Sequence, residues 1–322
     1  MFAEIPITPW HWIGFVAAVL LFLALDLGFF HRQAHVVRFR EALLWTVFWF
    51  LCALTFAATL APAFVPGWGK EQQAEFITGY ILELSLSMDN VFVMALIFSY
   101  FRIPQQLQHR VLFWGILGAL IMRGLMIWIG TELIHHIAGM LYVFGAFLVF
   151  TGAKMIATKE EEIHPEKNPL VRLAQKFLPV SPRLDGQRFV SEEHGRWVLT
   201  PLVPVLVMVE TTDLIFALDS IPAIFGVTQK PFIVFTSNVF AILGLRSFYF
   251  VLAGALRYFR YLKLGLSVVL MFIGVKMLIV PWYKISIQTS LLVVAGILLA
   301  AMLVSILAAW REIRRAGEAS TR

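Results

Sequence analysis

Six carboxylates stand inside hydrophobic stretches of this 322-residue chain: Asp26, Glu83, Asp89, Glu210, Asp213 and Asp219. The same stretches hold four bases, Arg123, Lys154, Arg246 and Lys276. A charge at the centre of a bilayer costs about 2.5–3.5 kcal/mol on insertion scales, so such residues are kept only where they are paired or used. The acids outnumber the bases by two, which is the charge of one divalent cation or two protons. That imbalance points to a cation pathway through a membrane.

The membrane assignment rests on composition and on run length. Hydrophobic residues make up 60% of the chain and charged residues 14%, far from the balance of a soluble domain. Nine apolar segments, near 9–30, 42–64, 76–100, 108–130, 133–156, 200–225, 232–256, 261–280 and 286–310, are long enough to cross a hydrocarbon core of about 30 Å. The expected fold is therefore an all-α polytopic transmembrane bundle. Residues 1–75 form two peripheral helices, 76–156 and 200–280 two three-helix units, 157–199 a cytoplasmic linker, and 281–322 the last helix and a basic tail.

Orientation is read from Lys and Arg in the connections. One set of alternate connections holds Arg32, Arg38, Arg40, Arg102, Arg110, Lys159, Lys167, Arg172, Lys176, Arg183, Arg188, Arg196, Arg257, Arg260, Lys263, Arg311, Arg314, Arg315 and Arg322. The other set holds only Lys70, Lys230 and Lys284. This nineteen-to-three split places the N-terminus outside and the C-terminus in the cytoplasm of a bacterial inner membrane. The net charge of +6 then belongs to a belt facing anionic lipid and implies no nucleic-acid partner. The first apolar segment is expected to stay in place, because its basic residues follow it rather than precede it. Cys52 is the single cysteine, and the eight histidines fall at span ends or in loops. Both facts weigh against redox chemistry performed by the chain itself, and no permanently bound cofactor and no enzymatic activity are expected.

The interior of the chain repeats. Glu83-Leu-Ser-Leu-Ser-Met-Asp89-Asn90 matches Asp213-Leu-Ile-Phe-Ala-Leu-Asp219-Ser220 in the spacing of its acids. Each is followed by a span with a central arginine, Gly118-Ala-Leu-Ile-Met-Arg123 and Ala241-Ile-Leu-Gly-Leu-Arg246. Each then continues to a lysine, in Phe150-Thr-Gly-Ala-Lys154 and Phe272-Ile-Gly-Val-Lys276, 31 and 30 residues beyond the arginine. Three spans is an odd number, so the second unit enters from the opposite side. Inverted repeats of this kind place a transport site at their interface near the midplane.

Helical spacing puts Glu83, Ser87 and Asn90 on one stripe, and Asp213, Ala217 and Ser220 on another, with Glu210 one turn earlier. Asp89 and Asp219 lie about 100° off those stripes. Pro222 has no N–H, so it frees a backbone carbonyl beside Asp219 that could serve a cation. Oxygen donors suit Mg²⁺, Ca²⁺ and Mn²⁺, and Met88 next to Asp89 offers a soft thioether that would favour Mn²⁺ or simply fill space. Met208 near Glu210 is open to the same two readings. For the bases the alternatives stay open as well. Arg123 and Arg246 either pair structurally with acids of the opposite repeat or take part in the pathway. Lys154 and Lys276 either join the site or snorkel to the membrane surface. Asp26, within two turns of Arg32, is the acid least tied to the site.

The runs Met88-Asp89-Asn90-Val-Phe-Val, Phe216-Ala-Leu-Asp219-Ser220-Ile-Pro222-Ala and Asn238…Ala241-Ile-Leu-Gly-Leu-Arg246 resemble the TerC family, and within it the bacterial Alx branch. The resemblance extends over nearly the whole chain, including Gly145-Ala-Phe-Leu-Val-Phe-Thr-Gly-Ala-Lys154. It implies a polytopic membrane protein linked to manganese efflux, to tellurium-resistance clusters and to redox modulation. On this chain the family's motif positions are Glu83, Asp89, Asn90, Asp213, Asp219 and Ser220.

The 157–199 segment carries an acidic run, Glu160–Glu162, close to His164, readable as a metal sensor or as a solvated charge run. Its end alternates around Glu193-His194-Gly195 like a short hairpin. No Gly-x-x-x-x-Gly-Lys-Ser/Thr run is present to bind ATP, so transport would run on a gradient. The function expected is export of a divalent cation, Mn²⁺ above others, through the acidic midplane site, with the lipid bilayer, metal cations and protons as partners. The alternatives are a membrane-bound redox or stress modulator, and a non-transporting scaffold.

Overall fold

The computed structural model describes residues 6–25, 38–137, 139–157, 180–181, 183–193, 195–253 and 262–320, with side chains as far as Trp310. The described residues form nine helices and one hairpin. They are α1 (Pro9–Leu25), α2 (Phe39–Phe64), α3 (Lys70–Tyr100), α4 (Gln105–His136), α5 (Met140–Ala157), β1 (Val190–Glu193), β2 (Arg196–Leu199), α6 (Leu202–Phe225), α7 (Pro231–Ala253), α8 (Leu262–Ile279) and α9 (Ile287–Ser320). This is an all-α polytopic membrane bundle. Seven of the helices, α2 to α5 and α7 to α9, are long and apolar enough to span a bilayer. The eighth, α6, has 24 residues and carries Glu210, Asp213 and Asp219. Asp26, Glu160–Glu162, His164 and His194 lie outside the described residues.

Several boundaries differ from the hydropathy reading, each for a local reason. Helix α3 begins at Lys70 rather than 76, because Gln72 reaches back to accept the Gly69 N–H at 2.9 Å and caps the first turn. Helix α4 runs through Glu132, where a turn was expected, and ends only at His136. In α2 a wide π-helical turn at Phe56–Leu60 precedes Pro62, whose missing N–H and bulky ring cannot continue a regular ladder. The Trp68 indole donates to the Ala57 carbonyl at 3.1 Å and satisfies a group released there. The hairpin forms where the alternating run predicts it, with Glu193 opposite Arg196.

Packing follows an exchange pattern between the two three-helix units. Helix α3 packs on α7 as α6 packs on α4, and α3 meets α6, α4 meets α7 and α5 meets α8. Equivalent helices run antiparallel. Gly79 lies against Ile224 while Asn90 lies against Asp213, and Gly145 lies against Gly274 while Gly152 lies against Ser267. The α5–α8 pair comes close because it is stripped of side chains at the crossing: a Cβ on Gly274 would sit 2.6 Å from the Gly145 carbonyl oxygen. Large apolar side chains such as Leu44, Phe64 and Leu292 are more than 70% exposed on α2 and α9, a surface suited to lipid rather than water.

Candidate cation site

The polar stripes of α3 and α6 face each other at the centre of the bundle. Glu83, Ser87 and Asn90 are buried on α3, and Asp213, Ala217 and Ser220 are buried on α6. Both stripes have the helical spacing that puts their members on one side, and both turn inward. Asp89 and Asp219, off the stripes by about a quarter turn, are only half-buried.

Arg123 enters between the stripes from α4 and is 1% exposed. Its Nη2 and Nε donate to the two carboxylate oxygens of Asp213 at 2.9 and 3.3 Å. Its Nη1 donates to Glu83, to the Asn238 Oδ1 of α7 at 2.8 Å and, more weakly, to the Ser220 hydroxyl at 3.5 Å. Asn90 Nδ2 adds a donor to Asp213 at 3.2 Å, and Ser87 one to Glu83 at 3.4 Å. Four helices thus converge on one guanidinium flanked by two carboxylates from equivalent positions of the two units. Arg123 therefore pairs with an acid of its own repeat as well as one of the other. Burying such a group is tolerable only because the fork of the guanidinium is so fully matched.

Glu210 sits one turn before Asp213 and presses on Gly118 of α4, where any side chain would overlap its carboxylate. Among the described residues its Oε2 is buried without a hydrogen-bond partner, as is Oδ1 of Asn90. Beside it lies a cavity of about 20 Å³, lined by Met94, Gly115, Ala119, Glu210, Asp213 and Arg246 among others. That is room for about one water-sized occupant.

Not all of the acids share this centre. Asp219 accepts a hydrogen bond from the Thr151 hydroxyl on α5 and feels the charge of Lys154, one turn further along that helix. Among the described residues no three His, Cys, Asp or Glu side chains come together closely enough to share one metal ion in this conformation. The physical reason lies in Arg123, which occupies the space between Glu83 and Asp213. Met208 is packed in an apolar cluster, and Met88 lines a lateral groove with Tyr80 and Phe50. The methionine that borders the acidic cavity is Met94, which sequence spacing did not single out.

Two further groups escaped the sequence reading. Asn238 was visible as part of a motif but not as a ligand of Arg123. Glu75, placed by hydropathy ahead of its span, lies inside α3 and is 3% exposed. Both of its oxygens accept from Lys230 Nζ at 3.0 Å. Lys276, expected to snorkel or join the site, is 8% exposed and within electrostatic reach of Glu75, whereas Lys154 is exposed.

A family model described as "Integral membrane protein TerC family" matches residues 68–316. The chain belongs to the TerC family. Relatives span the same length: a Myxococcus xanthus protein named "Uncharacterized membrane protein STKORF319" is 51% identical over 300 residues, covering 93% of each chain. Proteins named "Putative membrane-bound redox modulator Alx" are 47% identical in Salmonella typhi, covering 90% of this chain and 92% of the relative, and 45% identical in Escherichia coli (strain K12), covering 96% and 98%. No solved structure matches this TerC chain.

Proposed function

We propose that this TerC protein is a cation transporter of the bacterial inner membrane, not an enzyme, that exports a divalent ion, foremost Mn²⁺, in exchange for protons. The observation that carries the reading is the position of Arg123: a side-chain cation seated between Glu83 and Asp213, two carboxylates supplied by equivalent positions of antiparallel helices. A divalent ion would compete for that seat. Asn90 Oδ1, buried and without a partner, offers a neutral oxygen beside it, and Met94 offers a thioether at the edge of the adjoining cavity. Those donors suit Mn²⁺ better than a set of oxygens alone. In this scheme Glu210 accepts the proton, because its Oε2 is buried without a hydrogen-bond partner beside a cavity with room for one water-sized carrier. Export from a negative-inside cell runs against about 2.3 kcal/mol per charge per 100 mV, which inward proton flow offsets.

Cells expressing the protein under excess Mn²⁺ should hold less manganese than cells without it. Asp213→Asn and Asp219→Asn should still insert yet lose that difference, and wild-type behaviour in both would remove these residues from the mechanism. In proteoliposomes, a gradient acidic on the outer side should accelerate metal movement toward that side, and flux indifferent to it would leave passive permeation. A reporter active only outside the cytoplasm should work when fused after Lys70 or Lys230 and fail after Arg183.

The names of the relatives favour a second reading, a membrane-bound redox modulator without transport. With Cys52 as the single cysteine, electrons would have to pass through a bound group or a partner. Unchanged cellular manganese together with an altered thiol redox balance would select that reading.

A further inference from the structure

Glu75, Glu83, Ser87 and Asn90 all lie on one buried stripe of α3, with Gly79 between the first two. Glu75 and Glu83 are eight residues apart, about 12 Å along the helix. Between them that side of α3 carries Gly79 and the buried Leu82, and the gap at Gly79 is filled from outside. A Cβ on Gly79 would meet Ile224 and the Ser237 hydroxyl at 2.9 Å each. Glu75 thus stands at the same end of the bundle as the Lys70 and Lys230 connections, on the stripe that leads to the central acids.

Its surroundings mirror those of the central pair. The Glu75 carboxylate is buried, and both oxygens are taken by one flexible cation, Lys230 Nζ, at 3.0 Å. The Thr228 hydroxyl also contacts it. Lys230 directly precedes α7 and its side chain keeps 16% of its exposure, so it can swing to water without unfolding the helix. Lys276, from the end of α8, adds a second positive charge close by. A structural ion pair needs neither the added hydroxyl of Thr228 nor the second lysine, and buried pairs are a poor route to stability.

We propose that Glu75 is a second cation station on the pathway, at its outer end, and that Lys230 is the tethered cation that replaces the transported ion as it leaves. The chemistry is that of a hard divalent cation on one carboxylate and one hydroxyl. The charge of Lys276 keeps its residence brief, as an exit requires. Ile224 seals the stretch between the two stations in this conformation. The inference rests on the transport reading for its direction, yet Lys230 can be followed without any flux measurement.

The test uses the full-length protein in proteoliposomes with Mn²⁺ as the probe. An amine reagent that cannot cross the membrane is applied to the Lys230 side, and labelling of Lys230 is mapped by peptide mass. Adding Mn²⁺ should raise the labelling rate of Lys230 several-fold in the wild type and leave that of Lys284 unchanged. In Glu75→Gln, Lys230 should label quickly with or without the ion. A rate indifferent to Mn²⁺ in the wild type overturns the proposal whether or not the protein transports. In flux assays, Glu75→Gln should raise the KM for Mn²⁺ presented on that side about tenfold, Lys230→Met and Lys276→Met should lower it, and KM on the opposite side should stay put. Because Glu75→Gln alone risks poor folding, Glu75→Gln with Lys230→Met removes the pair cleanly and should still show the raised KM. Equal effects on both sides, or lower yields with unchanged KM values, would make the cluster a structural ion pair. Labelling that responds to Mn²⁺ with no flux of any cation would keep the station and discard the transport reading.

Discussion

The two three-helix units place matching residues in unequal surroundings. Counting eight residues back from each arginine gives Asn238 in the second unit and Gly115 in the first. Arg123 meets the Asn238 amide across the α4–α7 contact. By the same exchange Arg246 meets Gly115, and instead of an amide there is the 20 Å³ cavity that both of them line. Three residues before the first acid of each motif stand Tyr80 and Glu210, and it is Glu210 that borders the cavity. Lys276 is buried near Glu75 where Lys154 is exposed near Asp219. The lesson is that a symmetric scaffold closes fully around one arginine and leaves a water-sized space beside the other. A device that alternates between two mirror conformations needs such a difference in each of them.

The sharpest way to break the comparison is to remove the arginines one at a time. Arg123→Ala strands Glu83 and Asp213 in the core, and loss of one partner from a buried pair costs about 3–5 kcal/mol. Little folded protein should survive detergent extraction and size-exclusion chromatography. Arg246→Ala should also lower the folded amount, but less, because its neighbour is already a cavity that water can enter. Equal losses from the two variants would mean that the asymmetry between them has no energetic weight.

The next effect in size tests the amide. Asn238→Ala deletes a neutral acceptor on a charged donor, worth about 1.5–3 kcal/mol. A lowered melting temperature in detergent, with Asn238→Asp partly restoring it by supplying an oxygen, would support the assignment. An unchanged melting temperature for Asn238→Ala would show that Arg123 is held by its carboxylates alone.

How much of this was legible in the sequence depends on the range of the physics involved. Spans, stripes and the repeat are written in local patterns, so the burial of Glu83, Ser87, Asn90, Asp213 and Ser220, and the partial exposure of Asp89 and Asp219, could be read from spacing. Which base goes to which acid could not. Arg123 to Asp213 spans 90 residues and Lys230 to Glu75 spans 155, and no periodicity carries that information. Hydropathy also misplaced Glu75, because the polar first turns of α3 hide the helix start that Gln72 caps. Asp219 does not meet Arg123 with the central acids: about a third of a turn separates it from Asp213, and that is enough to face Thr151 on a different helix.

That rotation sets the smallest effect. Asp219 finds a hydroxyl at Thr151, and the position equivalent to Thr151 in the second unit is Ile273, buried in an apolar cluster. The first unit therefore offers a hydrogen bond that the second does not. Thr151→Val keeps the shape and removes the donor, which should cost about 1 kcal/mol at a half-buried carboxylate. Folded yield should barely change, since Lys154 still balances the charge. If Asp219 works in the pathway, the variant should move the pH at which Mn²⁺ flux is half-maximal, because its carboxylate has lost a hydrogen bond. The reciprocal Ile273→Thr should leave that midpoint alone, its neighbours being apolar. Matching shifts from the two substitutions would erase the difference between the repeats at this position and leave Arg123 as the place where they part.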